Sequence, residues 1–484
     1  MNHPLTEMPN WLKQRAFLTP ERIAIKFEGE QYSFLELHRF AEKRARQLAS
    51  LGVNRGDAIG LFMKNSLDMV INIHALMYIG AVAVLLNTRL TPEELAWQLN
   101  DAKAKLVICD DDQMNHFPNF RAVKQSILKQ SAEQHVEIRG CFNLEDVATI
   151  MYTSGTTGKP KGVQQTYGNH WWSAVGSALN LGLMESDCWL LAVPLFHISG
   201  LSILMRSVIY GIGTVLQRSF SAKEANKMIK EQSVTIISVV TAMLDEMLQD
   251  LGDKTYPDSF RCMLLGGGPA PMPILEQCRE KNIPVFQTYG LTETTSQIAT
   301  LSPEFCYAKL GSAGKPLFPA QIRIVKDEKN CAPYEEGEIV VKGPNVTPGY
   351  LYRPDETKQT IRDGWFYTGD LGYMDEDGFL YVLDRRSDLI VSGGENVYPA
   401  EIEAVILSHP AVADVGVVGK EDPKWGKVPY AFVVRKNEVT EKELEEYCLQ
   451  RLAKYKVPKG FSFVPSLPRN ASKKLLRREL KNWL

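Results

Sequence analysis

The chain has 484 residues, of which 44% are hydrophobic and 23% charged, a composition typical of a folded globular protein with room for more than one domain. Its 55 Lys and Arg residues nearly balance 57 Asp and Glu residues, so no overall positive charge indicates a nucleic-acid partner. The eight cysteines form no C-x-x-C pair and no cluster with histidine, which argues against a zinc site and a disulfide framework and favours a cytoplasmic protein.

The first 265 residues alternate strand-like apolar runs with amphipathic helical stretches, as in parallel sheets covered by helices. The predicted strands are residues 58–62, 81–86, 105–109, 147–152, 235–240 and 261–265. Helices are predicted at 37–51 and 222–232, and a capped helix begins at Thr91. The longest apolar run, 69–86, is interrupted by Asn72, His74 and Gly80. It therefore predicts a buried helix, a turn at Gly80 and a buried strand rather than a membrane span.

The pattern changes toward the carboxyl end. Residues 110–139 are the most polar and least patterned, so we expect a surface excursion there. From about residue 322 short strands and turns predict a β-rich subdomain reaching 385. A domain boundary is predicted near Arg386, dividing the chain into an N-terminal domain of residues 1–385 and a compact C-terminal unit of residues 386–484.

The first eleven residues lack the basic and apolar regions of a signal peptide, so no export is expected.

Residues 153–163, Thr-Ser-Gly-Thr-Thr-Gly-Lys-Pro-Lys-Gly-Val, have the composition of a loop that holds a polyphosphate. Glycines let peptide N–H groups approach phosphate oxygens, hydroxyls donate hydrogen bonds, and lysines supply charge. A Walker P-loop needs four residues between its glycines and a Lys-Ser/Thr ending, whereas here two residues separate Gly155 from Gly158. A plain surface linker would not need the lysines or the preceding apolar strand. The candidate phosphate-binding residues are Thr153, Ser154, Gly155, Thr156, Thr157, Gly158, Lys159 and Lys161.

Further polar clusters follow other predicted elements. In residues 287–293, Tyr289 could stack a base, Thr292 could contact a phosphate and Glu293 could hold a magnesium ion, if they lie beyond a short strand that ends near Phe286. Asp370, in a Tyr-Thr-Gly-Asp segment, is suited to the two hydroxyls of a ribose. Residues 383–396 add arginine and paired glycines.

Together and in this order, these clusters resemble the adenylate-forming superfamily of acyl-CoA synthetases, luciferases and nonribosomal adenylation domains. The resemblance runs essentially end to end and includes residues 194–200, 264–270 and 468–477. It implies a large N-terminal lobe of stacked α/β subdomains with a β-rich subdomain, followed by a small mobile α+β C-terminal domain. It also implies a reaction in two steps: a carboxylate attacks the α-phosphate of ATP, and the thiol of coenzyme A then displaces AMP.

The resemblance implies a role for each cluster. The loop at 153–161 would hold the β- and γ-phosphates of ATP. The other implied contacts are Tyr289 with adenine, Thr292 with the α-phosphate, Glu293 with Mg²⁺, Asp370 and Arg385 with ribose, and Gly393 and Gly394 with the pantetheine arm of coenzyme A.

The basic tail should carry the lysine that bridges the acid and the α-phosphate. The family pattern is usually Gly-Lys-Ile or Gly-Lys-Leu, and this chain has Lys473-Lys474-Leu475. Alignment on the leucine selects Lys474, although the sequence leaves Lys473 open. In the hinge, Ser387 stands where many relatives have Asp or Lys.

Within the superfamily, several blocks resemble bacterial CoA ligases that act on a small aromatic dicarboxylate. Such an acid needs polar groups in its pocket to bind the carboxylate that does not react. The candidates are His197, Ser199, Ser202, Gly266, Gly267, Gly268 and Ser302. His197 would also serve in catalysis, whereas His170 is interpreted as structural.

Other interpretations stay open. The chain could activate benzoate, coumarate or a medium-chain acid, transfer its acyl group to a carrier protein, or be a non-catalytic nucleotide-binding module. Lys474 and Glu293 argue against the last. A homo-oligomer is compatible with the sequence.

Overall fold

A computed structural model gives the fold of residues 6–153, 160–267, 272–305, 307–385, 388–392, 395–422, 425–452, 454–469 and 475–484. Up to residue 143 the elements are β1 (Glu7–Pro9), α1 (Trp11–Leu18), β2 (Ile23–Phe27), β3 (Glu30–Ser33), α2 (Phe34–Ser50), β4 (Ala58–Phe62), α3 (Leu67–Ile79), β5 (Val82–Leu85), α4 (Pro92–Asp101), β6 (Leu106–Cys109), β7 (Ala122–Lys124), α5 (Gln125–Gln130) and β8 (Cys141–Asn143). From 147 to 300 they are β9 (Val147–Thr153), β10 (Lys161–Thr166), α6 (Tyr167–Leu181), β11 (Cys188–Leu191), α7 (Ile198–Tyr210), β12 (Gly213–Leu216), α8 (Ala222–Glu231), β13 (Ile236–Val240), α9 (Thr241–Leu251), β14 (Cys262–Gly266), α10 (Met272–Glu280), β15 (Val285–Leu291) and β16 (Ser296–Thr300). The remaining elements are β17 (Lys315–Pro316), β18 (Gln321–Lys326), β19 (Lys329–Asn330), β20 (Gly337–Lys342), α11 (Pro354–Thr360), β21 (Ile361–Arg362), β22 (Trp365–Met374), β23 (Leu380–Arg385), β24 (Ile390–Ser392), β25 (Glu395–Val397), α12 (Pro399–Leu407), β26 (Val412–Asp422), β27 (Gly426–Arg435), α13 (Glu441–Leu449), β28 (Phe461–Phe463) and α14 (Arg477–Lys481).

Two largely parallel sheets carry the site. One has the strand order β10-β9-β5-β4-β6-β7 and is antiparallel only between β9 and β10. The other has the order β17-β16-β15-β14-β13-β11-β12-β2-β3 and is parallel from β15 to β2. Every strand predicted from an apolar run before residue 265 lies in one of these sheets, which confirms those predictions.

Helix α3 is enclosed on all sides, because every residue from Met69 to Ile79 is buried. Its apolar residues join those of β4, β5 and the second sheet in one hydrophobic core. The helix ends at Gly80, whose φ of +80° favours glycine. This confirms the predicted helix, turn and strand. None of the helices in the described ranges combines the length and apolarity needed to cross a membrane.

The prediction of an unpatterned surface excursion at 110–139 is wrong for its middle part. Strand β7 pairs with β6 at the edge of the first sheet, and α5 buries Gln125 and Leu128. A strand of three residues is too short to show an alternating hydrophobic pattern, so only its pairing with β6 reveals it.

The other two sheets are smaller. An antiparallel sheet of order β19-β18-β20-β22-β21, with β23 paired to β22, spans residues 321–385. In the C-terminal part, β25-β24-β27-β26 form a sheet with β28 on β27, and α12 and α13 contribute to its separate core. The result is a large α/β lobe with a β-rich sheet and a small α+β unit, as predicted.

Gly314 lies between the second sheet and the β-rich one, bridged to Leu380, at a position where a side chain would not fit. Its φ is +84°, and a Cβ there would lie 2.1 Å from the carbonyl carbon of Thr300. Gly311 has nearly the same φ, +85°, with no atom near the Cβ position. We expect Gly314→Ala to destabilise the protein by more than about 3 kcal/mol and Gly311→Ala by about 1 kcal/mol. Thermal unfolding of both variants tests this, and equal losses would contradict it.

Candidate active site

Several of the described candidate residues lie at or after the ends of strands of the two largely parallel sheets. Thr153 is the last residue of β9, Gly266 is the last of β14, and His197 follows β11 as the N-cap of α7. Ligands of open α/β sheets bind beyond the carboxyl ends of strands, so this edge is the expected location.

Several predicted site residues lie outside the described residues. These are Ser154, Gly155, Thr156, Thr157, Gly158, Lys159, Gly268, Gly393, Gly394, Lys473 and Lys474. Their roles stay predictions, as does the hinge at Ser387.

Tyr289 and Asp370 are directly connected. The Tyr289 hydroxyl donates a hydrogen bond of 2.7 Å to Asp370 Oδ2, and both residues are buried. Asp370 in β22 also pairs across the ladder with Arg385 in β23. The structure therefore brings together the residues expected to bind adenine and ribose, and it places Arg385 in register with them.

The expectation that residues 287–293 follow a short strand is wrong, because β15 continues to Leu291 and pairs with β16. The two strands approach so closely at Gly290 that a Cβ would lie 1.9 Å from the Ser296 carbonyl oxygen. Glycine is required there for that reason.

The turn of residues 292–295, which follows β15, is held by its carbonyl groups. Four successive oxygens accept hydrogen bonds from four donors in three segments: Thr292 O from Gln165 Nε2 (3.2 Å), Glu293 O from Thr347 N (2.7 Å), Thr294 O from Asn345 Nδ2 (2.9 Å) and Thr295 O from Ser173 Oγ (2.6 Å). The φ angles of Thr295 and Ser296 are +51° and +91°, a region that non-glycine residues rarely adopt. The hydrogen bonds maintain this backbone and fix Thr292 and Glu293.

A buried polar chain leads to the same turn. The Thr149 hydroxyl donates to Gln165 Oε1 (2.7 Å) and is 3.0 Å from His170 Nε2. Since the hydroxyl has one proton, His170 must donate through Nε2. Burial lowers the pKa of His170 to about 3, so the ring is neutral and its proton orders the chain. His170 thus has the structural role expected of it.

Lys161 and Glu293 both contact one aromatic residue, Tyr350. The Lys161 ammonium is 5.1 Å from the centre of the Tyr350 ring, whose hydroxyl donates to Glu293 Oε1 at 3.1 Å. Lys161 also forms an ion pair with Glu356. The residues expected to bind terminal phosphates and magnesium are therefore neighbours, as their roles require.

The candidate acid pocket is built on α7. Burial lowers the pKa of His197 to about 4, with a smaller contribution from the positive charge of Arg89, so the imidazole is neutral at pH 7. The Ser202 hydroxyl is 3.3 Å from Ser296 Oγ and donates to the Ser199 carbonyl. The pocket thus adjoins the 292–295 turn.

The remaining pocket candidates lie on the second sheet. A Cβ at Gly266 would be 3.1 Å from Thr288 Cγ2, and one at Gly267 would be 3.0 Å from Val240 Cγ1. A side chain at either position would therefore crowd its neighbour. Ser302 follows β16 and donates weakly to Glu304. Within the described part of the chain, no hydrogen bond connects Ser302 with the serines of α7.

Comparisons with known proteins identify the family. The model for AMP-binding enzymes matches residues 12–351, and the model for their C-terminal domain matches residues 401–474. The chain therefore belongs to the AMP-binding enzyme family, and its fold is that of the acyl-CoA synthetases.

Relatives with high sequence identity are named as one kind of enzyme. A 2-succinylbenzoate–CoA ligase from Geobacillus sp. (strain WCH70) is 64% identical over 99% of this chain and 98% of its own length. An o-succinylbenzoate CoA synthetase from Bacillus subtilis, solved with the acyl-adenylate OSB-AMP, is 53% identical, with a TM-score of 0.95 and 98% coverage of both chains. Its complex with ATP and magnesium scores 0.94 and covers 98% and 100% of the two chains. A double mutant of that enzyme with a product analogue scores 0.78 over 99% of both chains.

Sequence reasoning missed the residues that support the turn and the lysine, namely Gln165, Ser173, Asn345, Thr347, Tyr350 and Glu356. The one signal available in the sequence was Gln165, a polar residue in a short strand-like stretch. Gln165 is fully buried in the structure, and buried polar side chains are usually hydrogen-bonded.

We expect Gln165→Leu to weaken AMP binding about tenfold, because the Thr292 carbonyl loses its side-chain donor and the Thr149 hydroxyl its acceptor. Titration calorimetry with AMP measures this. Gln164→Leu is the matched control, since the Gln164 side chain is only half-buried and makes no hydrogen bond within the described structure. Equal affinity of the two variants would contradict a role for the chain from His170 to Thr292.

Proposed function

We propose that the protein is an ATP-dependent 2-succinylbenzoate–CoA ligase. It forms 2-succinylbenzoyl-adenylate and pyrophosphate, and then 2-succinylbenzoyl-CoA and AMP, a step of menaquinone biosynthesis. The observation that carries the proposal is the 64% identity, over 99% of the chain, to a ligase of that name. The blocks that resemble ligases of aromatic dicarboxylates in the sequence agree with it.

In the first step the aliphatic carboxylate of the acid attacks the α-phosphorus of ATP. A bond forms between the carboxylate oxygen and phosphorus, and the bond to pyrophosphate breaks with its electron pair on the leaving group. The repulsion between two anions must be offset by fixed positive charge and hydrogen-bond donors. Lys161 holds the terminal phosphates, Thr292 contacts the α-phosphate, and Lys474 bridges the carboxylate and the α-phosphate. Tyr289, Asp370 and Arg385 orient the adenosine.

The described residues fit a magnesium ion bound with ATP. Among them no cluster of three or more His, Cys, Asp or Glu side chains forms a protein-only metal site. Mg²⁺ in such enzymes is held by one or two carboxylates together with phosphates and water. Glu293, fixed by its backbone and by Tyr350, supplies one such carboxylate. The ion would neutralise phosphate charge.

A buried positive charge under the pocket supports an acid with a second carboxylate. Arg206, on α7 one turn after Ser202, is 1% exposed and stacks on Trp189 at 5.5 Å. It donates to Ser173 Oγ at 3.3 Å, and no carboxylate pairs with it among the described residues. An uncompensated charge is costly in a protein interior. The aromatic carboxylate of the substrate would compensate it while His197, Ser199 and Ser202 bind that end of the acid.

In the second step the thiolate of coenzyme A attacks the acyl carbonyl, and AMP leaves with the bonding electron pair. Gly393 and Gly394 admit the pantetheine arm after the C-terminal domain, residues 386–484, rotates about the hinge at Ser387.

The enzyme acts in the cytoplasm, which the free thiols of seven described cysteines support. A homo-oligomer remains part of the proposal. The alternative acids, benzoate, coumarate and medium-chain acids, are disfavoured by the buried Arg206, since each has only one carboxylate.

An acid panel tests the substrate. Pyrophosphate release should be fastest with 2-succinylbenzoate, and kcat/KM should fall at least about 100-fold with 4-oxo-4-phenylbutanoate, which lacks only the aromatic carboxylate. Thioester formation with coenzyme A alone would exclude an obligatory carrier protein. Failure to turn over 2-succinylbenzoate would end the proposal.

Arg206→Met should remove most of the preference between these two acids, and Arg206→Lys should retain part of it because the charge remains. A uniform loss for both acids would show that Arg206 only supports the fold.

The two tail lysines make a matched pair for the bridging role. Lys474→Ala should bind ATP normally and lose at least about 100-fold in adenylate formation, because one positive charge leaves the transition state. Lys473→Ala should be close to the parent enzyme. Single-turnover pyrophosphate release measures both, and the reverse order would assign the role to Lys473.

A further inference from the structure

A chain of polar contacts joins the residues on either side of the phosphate-binding segment. On one side, the Tyr152 hydroxyl donates to Asp101 Oδ2 at 2.9 Å and lies 3.1 Å from the Gln98 carbonyl oxygen. Arg353 then contacts Asp101 Oδ1 at 2.5 Å and Glu356 Oε1 at 3.7 Å. Glu356 pairs on the other side with Lys161. Helices α4 and α11 thus connect the end of β9 to the start of β10.

Lys161 forms an ion pair with a carboxylate of its own chain, that of Glu356. Only 14% of its side chain is exposed, and the Glu356 oxygen that it contacts is buried. Ion pairs screened from water are stronger than exposed ones. Tyr350 covers the ammonium from another direction.

We propose that Glu356 competes with the phosphates of ATP and with pyrophosphate for Lys161. The inference rests on the proposed function, in which Lys161 binds the terminal phosphates. An ammonium that turns to a phosphate must give up part of its interaction with Glu356, so the carboxylate weakens ATP binding. The same competition acts after the first step, when Glu356 takes Lys161 back and pyrophosphate leaves. Glu356 therefore serves as a positioning residue that sets the affinity for the leaving group.

Arg353 keeps Glu356 in this role. It is shared between Asp101 and Glu356, and its pKa is raised chiefly by the hydrogen bond with Asp101, so it stays charged. The carboxylate of Glu356 is thus held beside Lys161 even after Lys161 turns away, ready to pair with it again.

Glu356→Gln tests the competition. The amide keeps the size and an acceptor but removes the negative charge. We expect the KM for ATP and the inhibition constant for pyrophosphate each to fall about fivefold, because Lys161 no longer has a competing anion. The KM for the acid should not change. Asp355→Asn is the matched control: it removes one charge from the same turn of α11 at an exposed position that forms no ion pair within the described structure.

A double-mutant cycle with Lys161→Met locates the effect. In the Lys161→Met background, Glu356→Gln should change neither constant further. Unchanged or higher constants in Glu356→Gln, or the same shift in Asp355→Asn, would overturn the proposal. Absence of ATP-dependent pyrophosphate release from the parent protein would instead refute the proposed function, so the two failures are distinguishable. Thermal unfolding of each variant identifies any loss that comes from the fold.

Discussion

The hydrogen bonds to four successive carbonyl groups, from Thr292 to Thr295, are the constraint on which the site depends. The donors come from β10, from α6 and from the segment that follows β20. These three segments are far apart in sequence, and together they hold the turn in its left-handed φ angles. The geometry of Thr292 and Glu293 therefore depends on contacts from distant parts of the lobe, and a backbone held in this way costs less to order when a ligand binds.

Two charged side chains, those of Lys161 and Glu293, contact Tyr350. Its ring faces the ammonium of Lys161, and its hydroxyl donates to Glu293. Tyr350 thereby brings the cation proposed to bind phosphate close to the anion proposed to bind magnesium. Lys161 forms its ion pair with Glu356. The neutral state of His170 and His197 adds no further positive charge at this edge of the sheets.

Much of the fold follows from local sequence pattern, whereas the support of the site does not. Strands such as Ala58–Phe62 and helix α3 bury continuous apolar runs, so their composition alone indicates them. Strand β7 was missed because it exists only through its pairing with β6. The candidate site residues came from motifs, and their individual roles stay predictions. Gln165 and Ser173 contact the turn from 127 and 122 residues away in sequence, and no local pattern encodes such contacts.

The proposed acid pocket and the turn that carries Thr292 share one hydrogen-bonded connection. Ser173 donates to the Thr295 carbonyl and accepts from Arg206, the buried cation on α7. On the same helix, Ser202 contacts Ser296 at the end of the turn. A carboxylate that draws the guanidinium toward the pocket would also act on Ser173 and, through it, on the backbone that holds Thr292. Under the proposed function, this arrangement would link occupation of the acid pocket to the geometry at the α-phosphate and favour the reaction when both substrates are bound.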